Sequence, residues 1–302
     1  MKIHFMSDIH LEHADCIVDQ EAIKAADVVV LAGDIDLGTE ALQWARDSFG
    51  DKPVVYVVGN HEFYGFHFDK LLDTMREEAR ALNIHFLEND AVTIDGYRFL
   101  GCTLWTDFDY FGRGTRAQNM IHAEKCLNDF RQIKATTLQP PEVAAFMEYG
   151  DGKLRPVRWS RKLTATHTLG RHQASMAWLR SELPKGDPDR TIVVTHHFPH
   201  KSSCDPDYLN DPLTAIYGSH VDREVLLGAR LWIHGHTHSS SNYRIGDSKR
   251  SVRVMANPRG YPFGWLPNEY ENKWFNPKLV VDLDDPDDGP DPRNFPRLSG
   301  CR

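Results

Sequence analysis

Three things are scarce in this sequence, and each scarcity excludes a class of protein. Positive charge is in deficit: 35 Lys and Arg stand against 43 Asp and Glu, a formal charge of −8. No broad basic surface is available to capture nucleic acid or an anionic membrane, although single arginines can still bind phosphate. Cysteine is sparse. Cys16, Cys102, Cys126, Cys204 and Cys301 are odd in number and scattered, with no Cys-x-x-Cys pair, which argues against a thiolate zinc motif or a disulfide framework. They read as reduced thiols, and the expected location is the cytoplasm. Long apolar runs are missing as well: no stretch of about 18 apolar residues offers a membrane span. Met1 to Met6 reads as a short strand leading into Asp8 and His10 rather than as a signal peptide.

What the sequence does contain is a sizeable core, 41% apolar residues in 302, enough for one large α/β domain. Its organising stretch is Val54-Val55-Tyr56-Val57-Val58-Gly59-Asn60-His61-Glu62. A β-branched run without alternation fits a strand covered on both faces, as in parallel sheets wrapped by helices. Such sheets place their sites beyond the carboxyl ends of strands. Four further apolar segments end the same way. Lys2 to Met6 leads to Asp8 and His10, and Val28 to Ala32 to Gly33 and Asp34. Thr191 to Thr195 leads to His196 and His197, and Leu231 to His234 to Gly235, His236 and His238.

Amphipathic helices are predicted over about 39–48, 68–82 and 169–183, with short helical pieces at 211–216 and 220–227. Short strands are predicted at 84–87, 91–94 and 98–103, with Asp95-Gly96 as a hairpin turn. They are expected as a hairpin addition to the parallel sheet. Strands at 243–245, 251–256 and 278–282 are expected to complete a second sheet in antiparallel fashion. The aromatic loop around Trp105, Phe108, Tyr110 and Phe111 has two readings: packing for a cap, or a stacking platform for a nucleobase. Residues of about 102–172 read as a cap insertion, in which His122, Arg131, His167, Arg171 and His172 offer a cationic rim. Residues 284–302 are an acidic, proline-rich tail that lacks the apolar surface to order itself.

Singly, each strand-end cluster is a weak signal. Together, Asp8, His10, Asp34, Asn60, His61, His196, His236 and His238 form a mixed carboxylate, amide and imidazole set without thiolate, which suits zinc, manganese or iron and argues for two ions. The blocks Asp8-Ile9-His10, Gly33-Asp34, Gly59-Asn60-His61-Glu62, His196 and Gly235-His236-Thr237-His238 resemble, in order, the signature of the calcineurin-like metallophosphoesterase superfamily. The phrases Leu104-Trp105-Thr106-Asp107-Phe108 and Asn257-Pro258-Arg259-Gly260 are similar to those of a bacterial subgroup of unassigned substrate. Leu37 departs from the superfamily's Gly-Asp-x-x-Asp pattern.

The resemblance implies a four-layer α-β-β-α sandwich over residues 1–283, two mixed sheets flanked by helices, with a dinuclear site at the strand ends. It implies one ion on Asp8, His10 and His238, another on Asn60, His196 and His236, and Asp34 bridging them. It further implies a phosphoric ester hydrolase in which a metal-bound hydroxide attacks phosphorus. Manganese is favoured over iron or zinc. His61 is the expected catalytic proton donor, and Asn60 serves both as ligand and, through its NH₂, as a hydrogen-bond donor to the phosphate. Glu62 is expected to orient a ligand histidine or to serve as a salt-bridge partner, and Asn257 and Arg259 have two readings, ordinary turn chemistry ahead of contact with the site. The expected substrate is small and phosphorylated, a phosphodiester ahead of a monoester and of nucleotide type if the aromatic loop stacks. Phosphomonoesterase, protein phosphatase and a non-catalytic binding module on the same fold are the alternatives. Oligomeric state leaves no trace in the sequence.

Overall fold

A computed structural model describes residues 1–135, 146–148, 154–156, 162–263 and 269–285. The expected tail beyond 285 and the middle of the expected cap (136–145, 149–153 and 157–161) lie outside the described residues. The first sheet has the order β13-β1-β2-β3-β4. Its strands are β1 (Lys2–Met6), β2 (Val28–Ala32), β3 (Val54–Val57), β4 (His85–Phe86) and β13 (Val280–Asp282). The first four run parallel, and β13 closes the β1 edge antiparallel.

The second sheet has the order β11-β12-β10-β9-β6-β5. It comprises β5 (Asp90–Ile94), β6 (Tyr97–Cys102), β9 (Thr191–Thr195), β10 (Leu231–His234), β11 (Ser241–Gly246) and β12 (Ser251–Ala256). A separate pair, β7 (Phe146–Glu148) and β8 (Leu154–Pro156), lies in the insertion.

The period-2 geometry of strands explains the layering. Ile3, Phe5, Val28, Val30, Val55 and Val57 point into one core shared with Phe99, Ile192, Val194, Leu231 and Ile233 of the second sheet. The alternate residues Val29, Leu31, Val54 and Tyr56 face helices α1 (Gln20–Ala25), α2 (Glu40–Phe49) and α3 (Phe68–Ala81) through Ile23, Leu42, Ala45, Leu71 and Met75. On the far side, Leu100, Val193, Trp232 and Val254 pack against Met176, Leu179 and Leu226 of α6 (Ala165–Glu182) and α8 (Arg223–Leu226). The result is the four-layer sandwich. Helices α4 (Arg116–Cys126), α5 (Asp129–Gln132) and α7 (Thr214–Tyr217) complete the described part of the chain, and none of its helices is long and apolar enough to cross a membrane.

Two expectations are corrected. The hairpin turning at Asp95 (φ 47°) and Gly96 (φ 78°) joins the second sheet rather than extending the parallel one, because β6 is buried along most of its length and needs a neighbour on each side, β5 and β9. The last strand belongs to the first sheet, where Val281 is buried against Ile3 and β13 covers an otherwise open edge.

Candidate dinuclear metal centre

Each strand that ends in a polar block stops extending abruptly. Asp8 (φ 50°), His10 (φ 50°), Asp34 (φ 55°), His236 (φ 70°) and His238 (φ 48°) all adopt the left-handed conformation, which L residues occupy at a cost and which clusters at functional sites. The backbone is held there by cross-links between strand ends. The Asp8 and His10 amides donate to the Gly33 and Asp34 carbonyls at 2.9 and 3.1 Å, and the Gly260 amide donates to the Asp8 carbonyl at 3.0 Å. Gly33 (φ 88°) leaves room for the His196 ring, which a Cβ would overlap.

These turns bring seven expected ligands together. Among the described residues, three groups of ligand atoms each lie within 4.8 Å of one another: Asp8, His10 and His238; Asp34, His196 and His236; and His10, Asp34 and His61. Asn60 Oδ1 joins the second group, 3.2 Å from His196 Nε2. His197, the other histidine of its pair, turns away to face the Thr103 carbonyl and the Trp105 ring.

The hydrogen-bonding pattern tests whether this set fits metal ions. His10 Nδ1 lies 3.0 Å from Glu12 and His238 Nδ1 lies 2.5 Å from Glu271, so both rings present Nε2, and these two atoms face each other at 3.0 Å. His196 Nδ1 donates to the Ala32 carbonyl at 2.9 Å, leaving Nε2 pointing at His236 Nδ1 (3.1 Å), Asn60 Oδ1 and Asp34 Oδ2 (3.3 Å). With neutral imidazoles, lone pairs converge on acceptors, an arrangement that asks for cations. Metal–nitrogen bonds of about 2.0–2.1 Å place adjacent ligand atoms roughly 3.0–3.4 Å apart, as these are. The residues fit two ions.

Behind the ligands stands a layer of groups, most of which the sequence did not announce. With Leu37 in place of the pattern's last Asp, the carboxylate beside the candidate acid comes from Glu12, whose Oε1 lies 2.8 Å from His61 Nδ1 and 3.0 Å from His10 Nδ1. Its position two residues after His10 was the available signal. Asn60 Nδ2 donates toward Asp129 Oδ1 at 3.0 Å and the Tyr64 hydroxyl at 3.1 Å, two acceptors only 2.6 Å apart that a single N–H can serve. This fixes the amide with its oxygen toward the ligands and leaves its second N–H uncommitted among the described residues. The Tyr261 hydroxyl is 3.0 Å from His61 Nε2.

Substituting Glu12 by Gln is expected to cost about 10–100-fold in metal affinity or activity, the usual price of losing such a partner; calorimetric metal titration reads the first.

Glu62 has a different role from either one expected. Fully buried, it accepts from the amides of Gly59 (2.8 Å), Asp34 and Ile35 (both 3.1 Å) and from the Tyr56 hydroxyl (2.7 Å). It pins two strand-end loops together and touches no ligand imidazole. Glu62→Ala would leave those donors buried and unpaired, and a loss of about 3 kcal/mol or more is expected, read from the urea midpoint of the metal-free protein.

Other expected site groups lie elsewhere. Asn257 Nδ2 donates to the Phe5 and Asn276 carbonyls. The buried Arg259 guanidinium donates to the carbonyls of Ile9, Ala14 and Asp15, so it shapes the loop that carries Glu12 instead of entering the site. Trp105, Phe108 and Tyr110 are buried and Phe111 is exposed, which assigns the first three to packing and removes them as a nucleobase platform. The cationic rim does not assemble. His172 is buried against the Leu104 carbonyl, Arg171 pairs with Asp69, His167 caps α6, and Arg131 donates to the Lys125 carbonyl.

The carboxylates and several imidazoles of the cluster stabilise one another's charged forms. Burial disfavours ionised Asp8 and Asp34, yet the neighbouring histidines outweigh it and hold both carboxyls below their usual range. Burial also opposes a charge on His61, but Asp34 and Glu12 prevail and raise its pKa, favouring the imidazolium. For His196, burial is overcome by Asp34 and the pKa rises to about 9. The centre opens into a cleft of about 390 Å³ lined by Asn60, His61, Tyr64, Tyr217, His236 and Tyr261 among others.

Comparison with known proteins gives a consistent result. A family model described as calcineurin-like phosphoesterase matches residues 1–240. A protein of Acanthamoeba polyphaga mimivirus, described as uncharacterized, is 24% identical over 311 residues, which cover 93% of this chain and 96% of its own. The crystal structure of phosphopantetheinyl hydrolase from Mycobacterium tuberculosis has a TM-score of 0.64 at 17% identity, covering 96% of this chain and 98% of that one, a likeness of fold. A dimetal phosphatase from Danio rerio has a TM-score of 0.43 at 19% identity over 85% of this chain and 86% of its own.

Proposed function

The chain belongs to the calcineurin-like phosphoesterase family, and we propose that within it the chain hydrolyses a small phosphodiester, in the cytoplasm, using two divalent ions. The observation that supports the reading is the convergence of ring nitrogens and carboxylate oxygens in three overlapping groups, which share His10 and Asp34 and include His61. Asp8, His10 and His238 would hold one ion, Asn60, His196 and His236 the other, and Asp34 both. Such a pair supplies Lewis acidity at phosphorus and lowers the pKa of water toward neutrality. An all-nitrogen and oxygen donor set accepts manganese, iron or zinc, and manganese is the ion we favour.

The chain's own residues supply orientation and a proton. Asn60 is held oxygen-inward by Asp129 and Tyr64. His61 is anchored twice: its amide donates to Asp34 Oδ1 at 2.8 Å, and its Nδ1 meets Glu12. Nε2 is thereby the atom that delivers the proton to the departing oxygen, and the Tyr261 hydroxyl already occupies that hydrogen-bonding position. A diester is favoured over a monoester because, among the described residues, no Lys or Arg lines the cleft to neutralise a second phosphate charge.

The test is turnover of bis(p-nitrophenyl) phosphate and p-nitrophenyl phosphate by metal-stripped protein with manganese, iron or zinc restored. Metal-dependent cleavage with the diester preferred is the expected result. A preference for the monoester would replace the diester reading with a phosphatase, and stoichiometric metal binding without any turnover would replace it with a binding module.

A further inference from the structure

The walls of the cleft beyond the ligands have an unusual composition for a site that receives an anion. No Lys or Arg lines it among the described residues, whereas Asp205 and Asp211 stand on its rim with Tyr64, Tyr208, Tyr217 and Phe198. Asp129 and Glu271, also in the lining, are already committed to Asn60, Tyr64 and His238. Asp205 and Asp211 are not committed in this way. Asp205 accepts from the Asp207 amide at 2.9 Å and the Ser239 hydroxyl at 3.4 Å, and Asp211 accepts from the Leu213 amide at 2.8 Å. Both are half-buried, and among the described residues neither has a cationic partner.

A substrate that fills about 390 Å³ must strip water from these carboxylates. Burying a carboxylate without a compensating charge is expensive, and a neutral or anionic group would leave both uncompensated. A cation would compensate them and would also find aromatic faces to lie against. The Tyr217 ring lies 4.9 Å from the His236 ring and the Tyr64 ring 4.3 Å from that of His61, so the aromatic wall begins at the histidines of the candidate centre.

We infer that the substrate is a phosphodiester carrying a single phosphate whose alcohol bears an ammonium group, seated between Asp205, Asp211 and the tyrosines of the cleft. This rests on the phosphoesterase reading for the reaction, but the cation subsite is testable without it. The first experiment is binding of choline to the metal-stripped protein, followed by tyrosine fluorescence, against its uncharged isostere 3,3-dimethylbutanol.

Choline is expected to bind about tenfold more tightly, and to lose that advantage in an Asp205→Asn/Asp211→Asn double variant whose circular dichroism matches the parent. The second experiment compares kcat/KM of the manganese-loaded parent for p-nitrophenyl phosphorylcholine and p-nitrophenyl 3,3-dimethylbutyl phosphate, which share a leaving group. A preference of about tenfold or more for the cationic diester is expected.

Equal binding of choline and its isostere, or equal turnover of the two diesters, would overturn the inference while leaving the phosphoesterase reading intact. Failure to cleave bis(p-nitrophenyl) phosphate with any ion, with choline still bound selectively, would overturn the reaction and keep the subsite. A preference for the charged ligands that survives in the double variant would overturn the assignment to Asp205 and Asp211.

Discussion

His61→Ala is expected to lower kcat by about 10²–10⁴-fold, the range for removing a positioned general acid, and to leave metal stoichiometry close to that of the parent. The imidazole contributes through one atom. Nδ1 is fixed by Glu12 and the amide by Asp34, so only Nε2 faces the place where an oxygen departs. The loss must therefore scale with the basicity of the leaving group. A diester that expels p-nitrophenolate needs little protonation and should suffer least, and an alkyl leaving group should suffer most. Rate constants for a series of aryl and alkyl diesters check this: a loss independent of the leaving group would remove His61 from proton transfer and make it an electrostatic contributor.

Gly59→Ala is the second large effect, and it follows from space rather than chemistry. Gly59 does not adopt a positive φ, so alanine brings no backbone penalty. A Cβ there would nevertheless overlap the Asp34 carboxylate and lie 2.7 Å from both the Asp34 amide nitrogen and His196 Cε1. Asp34 is the carboxylate assigned to both ions, and displacing it by about 1 Å is expected to cost about 10²-fold or more in kcat, together with weaker binding of at least one ion. Gly170→Ala provides the control. A Cβ at this helical position meets nothing within 4 Å, so activity should be unchanged and stability slightly raised. Metal analysis after dialysis, with kcat for both variants, separates a disturbed site from a disturbed fold.

The ligand blocks could be read in advance because each is local. A strand buried on both faces is a run of Val, Ile and Leu, and the polar residue that follows it marks its carboxyl end. Asp8, Asp34, Asn60, His196 and His236 were legible in this way. The helices read from apolar spacing came within a few residues of α2, α3 and α6. The residues that hold the ligands in place were not legible. Glu12 reaches His61 across 49 positions, Asp129 reaches Asn60 across 69, and Tyr261 reaches His61 across 200. No periodicity links such pairs. Glu62 misled for the opposite reason: it follows Asn60 and His61 directly in sequence, yet its side chain turns inward to the amides of two loops.

From the sequence by itself came most of the strands, the polar block that follows five of them and the family signature, all properties carried by short contiguous segments. The tertiary structure alone decided the sheet to which the hairpin and β13 belong, the burial of Trp105, Phe108 and Tyr110, the hydrogen bond of the Asn60 amide to Asp129, and the acidic, tyrosine-lined walls of the cleft. These depend on strand order and on loops meeting over long separations, where the free energy of a contact is set by which neighbours exclude water from it.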